Sequence, residues 1–107
     1  MGQNANNHLE VCSFTIETCR IAEDVGATRI ELCDNPLEGG TTPSYGVIKR
    51  ARESVSIQLF PIIRPRSRDY FYDDDEWQAV LDDIKICKEL GCDGVSAGAQ
   101  KITGEID

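Results

Sequence analysis

Two short stretches, HLEVC from His8 to Cys12 and RIELC from Arg29 to Cys33, each close on Glu-x-Cys. Thiols and carboxylates are the two side-chain types that hold metal ions or move protons, so their repetition raises a question of chemistry. Residues i and i+2 of a β-strand share a face. Glu10 therefore points with Cys12, and Glu31 with Cys33, while Val11 and Leu32 point the other way, towards helices. If the two strands are parallel neighbours, about 4.8 Å apart, both acid–thiol pairs reach one rim at the strand carboxyl ends. Parallel α/β folds build their ligand sites at those ends. Arg64 ends a third apolar stretch and shares the facing of Phe60 and Ile62, so it is expected at the same mouth.

Two chemistries fit such a rim. Cys12 and Cys33 offer thiolates, which can hold a metal ion. Against this stands the ordinary role of an unpaired cysteine as a small apolar filler. Alternatively, Glu10, Glu31 and Arg64 are catalytic. Burial of either carboxyl near the strand ends raises its pKa and suits it to acid–base work. Arg66, with Asp69 to orient it, then binds a carboxylate or phosphate. The bland counterpart is a structural Glu31–Arg64 ion pair.

The elements that must position these groups follow from periodicity. Leu9–Cys12 reads as a strand, and Ser13 or Thr15 caps a helix carrying Ile16, Cys19, Ala22 and Val25, stopped by Gly26. Thr28–Cys33 is a second strand. The turn-rich DNPLEGGTTPS leads to Thr42 as N-cap, with Pro43 at the first helical position and a helix over Tyr45–Glu53. Gly39-Gly40, ahead of that cap, reads as a plain turn, with an anion cradle as the alternative. Ile57–Ile63, apolar apart from Gln58, reads as a strand covered on both faces. RPRSRDYFY is a loop. Asp75–Leu90 is the longest helix, with Trp77, Val80, Leu81, Ile84 and Cys87 on one face, and its acidic start Asp73–Glu76 supports the helix dipole. Asp93–Ala97 is the fourth strand, and Gly98–Asp107 reads as a loop leading onward.

The alternation βαβαβαβ predicts parallel strands with right-handed crossovers, which a doubly wound sheet and a β/α barrel both satisfy. Four strands do not close a barrel, which takes about eight. Within 107 residues this is at most one small domain, with residues 1–7 a disordered lead-in. No apolar run approaches the ~20 residues of a membrane helix, and no secretory signal opens the chain. A net charge of −8 repels phosphate backbones and argues against nucleic-acid partners. Five cysteines, an odd count without C-x-x-C spacing, read as reduced thiols in the cytoplasm. Cys19, Cys87 and Cys92 are expected as core filler. His8, at the far end of the first strand, is poorly placed to share a metal with Cys12.

The segments LEVC, RIELC, EGGTTPSYG, PIIRPRSRDYFY, DDIKICKELGCDGVSAGA and GEID, in that order, resemble the N-terminal half of the CutC family, named for copper homeostasis. The likeness runs from about Leu9 to Asp107. It implies a (β/α) barrel of TIM type, of which residues 8–107 supply about the first half. It also implies an association with copper, carried onto Cys12 and Cys33 as Cu(I) ligands. Ser67-Arg68 stands where the family usually has Gly-Gly, which adds bulk and charge above the mouth. The alternatives are a barrel enzyme acting on a small anionic metabolite, and an inactive truncated fragment. A half barrel leaves its first and last strands as open edges, so a homo-oligomer is expected.

Overall fold

The computed structural model describes residues 9–97. Its elements run β1 (Glu10–Ser13), α1 (Ile16–Asp24), β2 (Arg29–Leu32), α2 (Tyr45–Ser54), β3 (Gln58–Ile63), α3 (Asp74–Glu89) and β4 (Ser96–Ala97). The strands form one parallel sheet in the order β1-β2-β3-β4. This is the expected alternation, laid out as successive neighbours around part of a barrel wall. His8, the lead-in and the segment after Ala97 lie outside the described residues.

One face of the sheet makes the core. Ile30, Leu32, Leu59, Pro61 and Ile63 are buried against Cys19 and Ala22 of α1, Ile48 and Ala51 of α2, and Val80 and Cys87 of α3. The period of two puts Cys12, Arg29, Glu31, Phe60 and Ile62 on the other face, where all but the exposed Cys12 are half-buried. β3 is therefore covered fully on one side only, and not on both as its apolar run suggested. Its inner side is shared with polar neighbours: Glu31 is the register partner of Phe60, and the Arg29 guanidinium lies 3.6 Å over the Phe60 ring.

Helix ends follow local chemistry. Thr15 Oγ1 accepts from the Thr18 amide and starts α1. Asp73 and Glu76 form a reciprocal capping box at α3. At α2 the cap is Ser44, whose Oγ accepts from the Val47 amide at 3.2 Å. Thr42 is otherwise occupied. Its hydroxyl accepts from the Arg64 amide at 2.7 Å and its own amide donates to the Arg64 carbonyl at 3.0 Å. These bonds fasten the loop after β2 to the end of β3, and Pro43 lies before the helix. Val25 and Leu81, placed by periodicity on apolar faces, are 67% and 55% exposed; Val25 is the C-cap, past the last residue of α1.

A thiol pair at the carboxyl ends of β1 and β2

Adjacent parallel strands deliver the cysteines to one place. Cys12 of β1 is in register with Glu31 of β2, and Cys33 follows two residues further along the same face. Cys12 Sγ and Cys33 Sγ stand 3.6 Å apart, and the Cys33 thiol points to Glu31 Oε1 at 3.9 Å. One ligand atom from each of Cys12, Glu31 and Cys33 falls within a 4.8 Å group. Cys12 is exposed, Glu31 half-buried and Cys33 only 3% exposed, so the group opens to solvent on the Cys12 side. Burial first, and then the neighbouring Cys12 sulfur and Glu31 carboxylate, push the Cys33 thiol up to about 12. A neutral thiol at this position gives up its proton only to something that repays the charge.

A glycine roofs the buried sulfur. Gly40 has φ +98°, and a β-carbon there would meet Cys33 Cβ at 3.5 Å and Sγ at 3.6 Å. The loop is held down by Arg64, which is 7% exposed. Its Nη1 donates to the carbonyls of Glu38 and Gly40 at 2.9 and 3.1 Å, its Nη2 to that of Arg68 at 3.2 Å, and Tyr70 stacks on it at 5.0 Å. The plain-turn reading of Gly39-Gly40 thus gains a role in shaping the site.

The structure joins only part of the anticipated constellation. Glu10 is two residues back from Cys12, about 6.6 Å along the strand. It is exposed and faces its register partner Arg29, with 3.7 Å between its carboxylate and Nε, so it stays outside the thiol group. Arg64 pairs with loop carbonyls and forms no ion pair with Glu31. Arg66 is bound by Asp69, 3.1 Å from its Nη1, as anticipated. It is also held by the Glu76 carboxylate and by the Phe71 carbonyl at 2.8 Å, a set that spends it on fastening the loop to the start of α3. Cys19 and Cys87 are buried in the core and Cys92 is half-buried beside it. Trp77 packs at the core edge, with Tyr72 edge-on to it at 5.8 Å.

The sequence pattern of the CutC family matches residues 7–107. A CutC family protein from Salmonella newport (strain SL254) is 46% identical over 99 residues, which cover 92% of this chain and 40% of that protein. One from Salmonella typhi is 44% identical over the same length, 38% of its own. The fold superposes on the crystal structure of a CutC protein from Streptococcus agalactiae, named for copper homeostasis, with a TM-score of 0.87 and 34% identity. That match covers 94% of this chain and 50% of the other. The chain thus spans about two-fifths to one-half of the length of these relatives.

Proposed function

The chain belongs to the CutC family, and on that footing we propose that it handles copper by taking Cu(I) between Cys12 and Cys33 at the rim of the sheet. The observation that carries this reading is the meeting of two sulfurs, 3.6 Å apart, across neighbouring strands. Metal–thiolate bonds are about 2.3 Å long, so sulfurs on opposite sides of an ion stand about 4.6 Å apart. Admitting the ion therefore asks the sulfurs to part by about 1 Å from their 3.6 Å separation. Cu(I) prefers such soft donors, whereas the Glu31 carboxylate is a hard one. Binding releases the thiol protons, so affinity rises with pH. Reduced thiols of this kind suit a cytoplasmic protein, and among the described residues no helix is long and apolar enough to cross a membrane.

Competition titration with a Cu(I) chelator tests the proposal. The parent chain binds, the Cys12→Ser, Cys33→Ser double variant loses at least a hundredfold in affinity, and Glu31→Gln stays within about threefold. Equal affinity in parent and double variant sinks it.

A second reading, an enzyme acting on a small anionic metabolite, has one observation on its side. Arg64 is buried, its two terminal nitrogens donate to backbone carbonyls and its Nε lacks an acceptor. Loss of turnover in Glu31→Gln and Arg64→Lys variants, in a screen of carboxylates and phosphate esters, is the result that would favour it.

A further inference from the structure

We propose that Cys12 and Cys33 are also a reversible redox pair, closing to a disulfide when no metal is held and so denying the site to copper. The consequence for copper rests on the function proposed above; the closure itself rests only on the geometry of the thiols.

The two sulfurs are already in contact at 3.6 Å, and a disulfide bond is about 2.05 Å. Their exposures differ in the way a two-step exchange requires. Cys12 is open to solvent and meets the oxidant, while Cys33, 3% exposed, is reached only by its neighbour. With a small-molecule disulfide such as oxidised glutathione, the Cys12 thiolate attacks one glutathione sulfur. The glutathione S–S bond breaks, a mixed disulfide forms, and one glutathione thiolate leaves. The Cys33 sulfur then attacks the Cys12 sulfur, its proton passing to the second glutathione, which leaves as a thiol. Two protein thiols are oxidised, one glutathione disulfide is reduced to two thiols, and the protein's two protons end on them.

Strand register makes the closed form labile. Cys12 faces Glu31, and Cys33 lies diagonally two residues on. With strands about 4.8 Å apart and about 3.3 Å per residue, ideal geometry sets the two α-carbons on the order of 8 Å apart, beyond the ~7 Å that a relaxed disulfide spans. Closure must therefore draw the strand ends together. Among the described residues β1 pairs only with β2. A bridge closed under such strain is readily reduced and belongs with regulatory disulfides, not structural ones.

The test uses reduced, metal-free chain and excess oxidised glutathione. Intact mass should fall by two hydrogens, peptide mapping should join Cys12 to Cys33, and excess reduced glutathione should reverse the change. Cys33→Ser should stop at a stable glutathione adduct on Cys12, and preloading the parent with Cu(I) should block the reaction. A persistent adduct in the parent chain, a Cys12–Cys12 dimer, or a bridge that resists reduced glutathione overturns the proposal. Cu(I) titration of the same reduced sample separates the two ideas. Closure without copper binding removes the copper reading alone, and copper binding without closure removes the redox pair alone.

Discussion

Cys33 shows how burial and neighbours act on one group. Its thiol is held at about 12 in the folded chain and near 8.5 when unfolded. Between those values the folded state keeps a proton that the unfolded state has lost. Stability therefore falls as pH rises through that window, and none of this loss occurs below about pH 8. Thermal melts from pH 7 to 11 should show a shallower alkaline decline in Cys33→Ala than in the parent chain. Arg68 is a second test at this scale. It sits at φ +86°, a left-handed backbone that costs any residue but glycine. Arg68→Gly relieves that cost, less the entropy glycine adds to the unfolded chain, for a net gain of about 0.5–1 kcal/mol, read as a higher melting temperature. The meeting of Cys12 with Cys33 was legible in the sequence because strand period and parallel adjacency suffice to produce it. The partners of Arg64 were not. They depend on the path of the loop through Glu38, Gly39 and Gly40, which no periodicity encodes.

Helices were legible from their apolar period to within a residue or two of their ends, with Thr15 capping α1 where Ser13 or Thr15 was expected, and Asp73 capping α3 within the acidic start Asp73–Glu76. They were misread where two polar residues compete. Thr42 and Ser44 both suit a cap, and the choice fell to Ser44 because β3 claims Thr42. Such tertiary claims lie outside any local window. Asp93, ahead of β4, is another: its carboxylate accepts from the Leu59 amide at 2.9 Å and from Arg52 Nη1 at 2.9 Å, and its amide donates to the Leu59 carbonyl. Arg52 also holds the carbonyls of Val55 and Ile57 at 2.8 Å. Asp93→Ala leaves the amide of a fully buried residue without its acceptor. It should cost about 2 kcal/mol, measured as a lower urea midpoint with an unchanged slope.

At the scale of the whole molecule, alternation of strand and helix was enough to predict a parallel sheet, while its order β1-β2-β3-β4 followed only from the family resemblance. Closure was never legible, because four strands do not set where the next pairing falls. β1 and β4 are the outer strands of the described sheet, and unpaired parallel edges template association. As a 107-residue chain in solution the protein should therefore self-associate. Size-exclusion chromatography with light scattering should give a mass above 11.9 kDa that falls on dilution. A well-folded monomer at all concentrations contradicts this.

One pair of sulfurs carries the proposed function, and X-ray absorption at the copper edge of the Cu(I)-loaded chain tests it most directly. We expect a nearest shell made of sulfur, lost in the Cys12→Ser, Cys33→Ser variant. A shell of nitrogen or oxygen, or an unaltered sulfur shell in that variant, would contradict it.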